Sequence, residues 1–189
     1  MKKSLFLIIG APGSGKTTDA EIIAEKHSDT TAHFSTGELL RKEVKSGSGL
    51  GKIIDERISA GNLVPVKIAV ETIIKAINSS DKDTIIIDGF PRSVEQMTEL
   101  EIELKNSTII DLKKVIEVNV SEKTAKQRVL GRARGADDKE EIFTNRMKIY
   151  TEPLQEIRDF YKTKNLLVEI DGEREIEEIV KDMEVEIYG

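Results

Sequence analysis

The sequence predicts an α/β domain of three layers, with a five-stranded parallel sheet between two sets of helices. Short apolar runs alternate with longer amphipathic stretches, the pattern of strands joined by helical crossovers. The runs are nearly continuous in apolar and β-branched residues, as in Thr84-Ile85-Ile86-Ile87, which suits strands covered on both faces. The first run, Leu5-Phe6-Leu7-Ile8-Ile9, also passes straight into a glycine-rich turn, Gly10-Ala11-Pro12-Gly13-Ser14-Gly15-Lys16-Thr17, with helix formers behind it.

The strands are predicted at residues 5–9, 32–34, 84–88, 114–120 and 166–170. A helix follows the glycine-rich turn to about His27. Ser35-Thr36-Gly37-Glu38 has the spacing of a capping box, so the next helix is predicted to start at Ser35. Gly47, Gly49 and Gly51 mark a turn before a helix over 50–60. Pro65 suits the first turn of a helix over 64–78. Helices over 91–105, 121–132, 138–164 and 174–186 complete the pattern, the last with an apolar stripe of Ile176, Ile179, Val180 and Met183. Asp137 and Asp138 read first as N-cap residues, with Glu141 completing a box. Two stretches leave this plan. Three helical patterns lie between the second and third strands, too many for a simple crossover, and residues 131–137 form a short loop rich in glycine and arginine.

A chain of 189 residues suits a single domain, residues 1–189, with small insertions. A net charge of −6 argues against a general nucleic-acid or membrane-surface binder, so any anion site must be a local cluster of Lys and Arg. With no cysteine, disulfides and thiolate metal sites are excluded. Met1-Lys2-Lys3 and the apolar run behind it have the outline of a signal peptide, but the run is short and enters the glycine-rich turn, so it is read as the first strand. No segment approaches the length of a membrane span. A cytoplasmic, monomeric enzyme is the expectation.

The turn fits G-x-x-x-x-G-K-[ST], a phosphate-binding loop. Its glycines let backbone N–H groups turn inward around phosphate oxygens, and the helix start adds its positive dipole end. Lys16 is placed to reach the β- and γ-phosphates of a nucleoside triphosphate, and the Thr17 hydroxyl to hold Mg²⁺. Asp88 ends an apolar strand; alone it would read as a helix cap, but beside a phosphate loop it suits Mg²⁺ or its water shell. Arg92 and Gln96 lie four apart on the helix predicted from Pro91, where Arg can grip a phosphate and Gln can read a base edge. Taken alone, the pair reads sooner as a solvated face. Arg128, Arg132 and Arg134 crowd one short stretch, which like charges disfavour unless an anion sits between them. Arg146 alone reads as surface. His27, His33, Tyr150, Phe160 and Tyr161 are assigned structural places. No general base stands out near these residues. A hydroxyl acceptor needs one, whereas a phosphate acceptor is already an anionic nucleophile, so the arginines point to transfer between two phosphorylated substrates.

Together these residues resemble the adenylate kinase family of nucleoside monophosphate kinases. Four motifs in the family's order carry the resemblance: Gly10 to Thr17; Ser35-Thr36-Gly37-Glu38-Leu39-Leu40-Arg41; Gly61-Asn62-Leu63-Val64-Pro65; and Asp88-Gly89-Phe90-Pro91-Arg92 with Gln96. The resemblance implies reversible Mg²⁺-dependent transfer, ATP plus AMP giving two ADP, on a phosphate-loop three-layer fold with a helical monophosphate-binding arm at 35–64 and a short lid, without zinc, at 131–137. Gly13, Ser14, Gly15, Lys16, Thr17 and Thr18 would hold ATP, with Arg128 and Arg132 closing over it and Gly172 and Glu173 beside its base. Thr36, Asn62, Leu63 and Val64 would approach the adenosine of AMP. Arg41 and Arg92 would approach its phosphate and Gln96 its adenine, with Gly89, Phe90 and Pro91 also in the AMP site. Lys16, Arg92, Arg132, Arg134 and Arg146 would act on the transferred phosphate, the last two also touching AMP. Two departures stand out: the family's lid arginine falls where this chain has Gly135, leaving Arg134 as its nearest counterpart, and Ser93 replaces a commoner Thr. The Phe90–Pro91 bond is expected to be cis, as in the family. A UMP/CMP kinase of the same fold is the alternative, but it tends to have Ala and Asn where this chain has Thr36 and Gln96. A nucleotide sensor without turnover is disfavoured by the intact Lys16 and arginine set.

Overall fold

A computed structural model describes residues 2–131 and 139–189. Five strands, β1 (Lys3–Gly10), β2 (Thr31–Ser35), β3 (Thr84–Asp88), β4 (Ile110–Asn119) and β5 (Leu167–Asp171), form one sheet in the order β2-β3-β1-β4-β5. Every pairing is parallel. The predicted fold class is therefore the observed one.

Alternation along the strands divides the core between two faces. Phe6, Ile8, Ile86, Ile116 and Val118 meet Ala20 and Ile23 of α1 (Lys16–Lys26) and Ile179, Val180 and Met183 of α9 (Ile176–Tyr188). Leu5, Leu7, Ile85, Ile87 and Val115 meet α4 (Val66–Ser79), α5 (Val94–Asn106) and α8 (Leu154–Thr163) on the other face. A third cluster, Ala11, Ala125, Val129, Phe143 and Met147, seats α6 (Glu122–Gly131) and α7 (Glu140–Thr151) beneath the loop that follows β1. The excursion between β2 and β3 holds α2 (Thr36–Lys45), α3 (Gly49–Ile58) and α4, the three helices expected. No helix among the described residues is long and apolar enough to cross a membrane.

Several boundaries differ from the sequence expectations. The helix predicted over 138–164 is two helices, because Pro153 has no N–H to give and its ring clashes with the preceding turn; α7 ends before it and α8 starts after it. Pro65 is the N-cap of α4 rather than part of its first turn. The helix predicted from Pro91 starts at Val94, where Ser93 Oγ accepts from Gln96 N at 3.1 Å, so Arg92 lies outside it. The Ser35 capping box does not form: Ser35 is the N-cap of α2, but its side chain caps nothing and is buried where the edge strand β2 ends. Strand β4 begins at Ile110, and its pairing shifts register between Leu5 and Phe6 of β1. In α9 the stripe is buried except for Ile176, which is half exposed. Asp137 and Asp138 lie outside the described residues.

Helices α5 and α8 are clamped across the sheet face by Lys164, whose Nζ lies 2.6 Å from Glu101 Oε1, with Lys105 at 3.4 Å. Burial pushes the Glu101 carboxyl up, but these two ammonium groups more than offset it and hold it below its ordinary range. A carboxyl lowered in the fold stabilises above its unfolded pKa and loses that contribution as pH falls. Glu101→Gln should therefore cost about 0.5–1 kcal/mol at neutral pH in urea unfolding. The gap from the parent should close below the ordinary carboxylate range.

Candidate functional site

Strands β2 and β3 end level, with Ser35 opposite Asp88, while β1 passes Asp88 at Ile8 and runs on to Gly10. Strand β1 is central, and the chain leaves it through α1 toward β2, whereas α5 carries it to β4 on the other side. The crossovers thus diverge at the carboxyl end of β1, where open α/β sheets bind ligands. A cleft opens there.

The glycine-rich loop forms one wall. Gly13 and Gly15 have φ of 86° and 98°, values open to glycine but strained for L side chains. A Cβ on Gly13 would also lie 2.4 Å from the Ala125 carbonyl oxygen, so the loop rests directly on α6. Lys16 Nζ lies 3.2 Å from the Ala11 carbonyl oxygen, arching the amine over the loop. Thr17 Oγ1 donates to Asp88 Oδ1 at 3.0 Å, and His33 Nε2 lies 2.6 Å from Oδ2. Burial pushes the Asp88 carboxyl up, but His33, Lys16 and Thr17 outweigh it and hold it below the usual range, keeping it anionic.

Cations face this anion. Arg92 Nε donates to the Gly89 carbonyl at 2.6 Å, beside the cis Phe90–Pro91 bond. Arg92 keeps an exposed surface on the open cleft, yet desolvation by the packed groups around it lowers its pKa; Asp88 opposes that effect, and the charges of Arg146 and Arg41 add to it. Three guanidinium groups from three segments therefore converge: Arg41 from α2, lying against Gly37, Arg92 after β3, and Arg146 from α7. Such crowding is costly without an anion between the groups.

The cleft is lined by Gly13, Lys16, Thr17, Arg41, Leu63, Asp88, Gly89, Pro91, Arg92 and Arg146 of the expected residues. Others lie behind its surface or beside it. Thr36 Oγ1 donates to the Asp88 carbonyl at 2.8 Å, and Gln96 Oε1, in a buried side chain, accepts from Arg92 N at 2.8 Å. Gln96 thus holds Arg92 from behind rather than sharing a helix face with it. Arg128 donates to the carbonyls of Ser14 at 3.2 Å and Gly172 at 3.1 Å, tying the loop to the end of β5. Glu173 accepts from Ser121 N at 2.6 Å and Thr124 Oγ1 at 2.8 Å, capping α6. Asn62 Oδ1 accepts from Asn145 Nδ2 at 3.0 Å, and the same amide reaches the Ala60 carbonyl at 3.0 Å. Gly15, Thr18, Val64 and Phe90 flank the lining residues. Arg132 and Arg134 lie outside the described residues.

Sequence reasoning passed over two groups at this site. His33 shares a sheet face with Asp88, because His33 pairs with Ile86 and Ser35 with Asp88, so the strand register alone would have revealed it. Asp19, on the first turn of α1, is 1% exposed, and its Oδ2 has no hydrogen-bond partner among the described residues. Burial raises its carboxyl to about 6, against the pull of Arg128 and Lys16. Nothing in the spacing of residues 16–26 marks it out.

Gly13→Ala tests the loop. Its Cβ has no room and its φ is wrong, a strain of about 1–3 kcal/mol. ATP binding measured by titration calorimetry should weaken by tenfold or more, while far-UV dichroism stays native.

Comparison with known proteins agrees with this geometry. The family model described as adenylate kinase matches residues 8–166. A curated adenylate kinase from a Nitratiruptor species is 65% identical over 96% of this chain and 94% of its own length. That of Nautilia profundicola is 62% identical over 96% and 95%, and that of Helicobacter hepaticus 60% over 99% and 98%. With the motifs, the sheet order and the cleft in agreement, the chain belongs to the adenylate kinase family.

Proposed function

We propose that this chain catalyses reversible phosphoryl transfer between ATP and AMP, giving two ADP. The observation that carries the reading is the convergence of Arg41, Arg92 and Arg146 across one cleft from the Lys16 loop and Asp88. That is a polyanion cradle facing a second anion site. The full-length relatives named adenylate kinase support the same reaction.

The roles follow from position. The loop amides and Lys16 hold the β- and γ-phosphates of ATP. Arg92, braced by Gln96 and Gly89, grips the phosphate of AMP together with Arg41. Arg146 reaches the phosphate in transit. The acceptor oxygen is already ionised, so alignment and charge neutralisation replace a base. Thr17 and Asp88 offer a hydroxyl and a carboxylate oxygen 3.0 Å apart. Hard donors in small number suit Mg²⁺, which keeps several waters and leans on substrate phosphates. Bound there, Mg²⁺ would screen the charge of the triphosphate. The arm at 35–64 and the lid at 131–137, with Arg132 and Arg134, would close over both nucleotides and shut out water, which would otherwise accept the phosphate.

Arg92→Ala should raise the KM for AMP about 10- to 100-fold and leave that for ATP little changed, as read in a coupled ADP assay. Unchanged AMP kinetics would sink the acceptor-site assignment. Lys16→Ala should slow transfer about a hundredfold or more with the fold intact. Comparing AMP, CMP and UMP as acceptors checks the base: AMP should be fastest, and a faster pyrimidine would overturn the proposal.

A further inference from the structure

Glu117 takes no part in the chemistry above, yet its side chain is wholly buried. It sits within β4, between Ile116 and Val118, on the sheet face that α8 covers. Arg158 of α8 grips both its oxygens at 2.7 Å and also donates to Asn119 Oδ1 at 3.1 Å. A third donor comes from α7: the Tyr150 hydroxyl, 2.9 Å from Glu117 Oε1. Well-packed apolar side chains would stabilise such a junction as well or better, so stability alone does not account for a charge here.

Tyr150 touches two things at once. Tyr150 lines the nucleotide cleft with Arg146, one turn earlier on the same face of α7, while its hydroxyl reaches back into β4. Burial first, and the Glu117 charge second, push the phenol far above its ordinary pKa, so the hydroxyl stays protonated and remains the donor. In the core α7 is otherwise held by Phe143 and Met147, and its one other side-chain tie named above, Asn145 to Ala60 and Asn62, lies at the surface about a turn and a half before Tyr150. Apolar contacts resist separation but direct sliding and rotation poorly, whereas a hydrogen bond to a fixed carboxylate is directional. Any rotation error at Tyr150 would be an error of the same sense at Arg146.

We infer that Glu117, acting through the Tyr150 hydroxyl, is a positioning residue for phosphoryl transfer: it fixes the rotation and depth of α7 and so aims the Arg146 guanidinium at the phosphate in transit. This rests on the reading of the cleft given above. Tyr150→Phe removes only the hydroxyl and leaves Glu117 paired with Arg158, so no buried charge is stranded. In single-turnover rapid quench at saturating ATP and AMP, Tyr150→Phe should slow transfer about tenfold, with both dissociation constants within about twofold of the parent. Added to Arg146→Ala, the same change should cost nothing further, because no guanidinium is left to aim. Parental transfer by Tyr150→Phe, or a penalty that multiplies in full onto that of Arg146→Ala, would overturn the inference. If Arg146→Ala itself transfers at the parental rate, the phosphate-site reading fails first and takes the inference with it.

Discussion

The site depends on the anchoring of one carboxylate. Asp88 stands at the end of β3, level with the end of β2 and beside β1, and each of its oxygens is engaged by a different segment: Oδ1 by Thr17 of α1, Oδ2 by His33 of β2, and the main-chain oxygen by Thr36 of α2. The phosphate loop, the edge of the sheet and the root of the 35–64 excursion are thereby held to a common point. Asp88 is 2% exposed, so leaving either carboxylate oxygen unmatched would carry the full cost of a desolvated charge. Its pairings make the negative end of the cleft a rigid feature rather than a mobile side chain.

Against that point the fold sets mutually repelling cations. Arg41, Arg92 and Arg146 belong to elements that share little sequence neighbourhood, and only the packing of α2 and α7 toward the end of β3 brings them together. Their repulsion is tolerated because the surrounding core is large and apolar on both sheet faces. Bound phosphates would relieve the repulsion, which couples the cleft's electrostatic strain to occupancy. Active sites commonly trade local stability in this way.

Much of this is legible in the chain. The strands can be read because both faces are covered, leaving Val115-Ile116 or Ile85-Ile86-Ile87 with no polar phase to confuse the period. The phosphate loop, Asp88 and Arg92 carry their chemistry in local spacing. Errors arise where a local rule competes with tertiary geometry. Ser35 and Glu38 have a capping box's spacing, yet strand pairing opposite Asp88 claims Ser35 first. Helical periodicity on both sides of Pro153 masks the break there, although the missing donor ends the helix. Glu117 is invisible for the opposite reason: a lone acid in the run Val115-Ile116-Glu117-Val118 has no local pattern, and its partners lie 33 and 41 residues further on.

The Asn145 amide bridges the Ala60 carbonyl and the Asn62 side chain, where the 35–64 excursion returns to the body of the protein, and Gly61 between them lies against Ile142 with φ of 73°. Any swing of that returning turn must either snap two hydrogen bonds or drag α7 along. The turn that closes the excursion and α7 are therefore mechanically geared, so a displacement that begins in one exerts torque on the other.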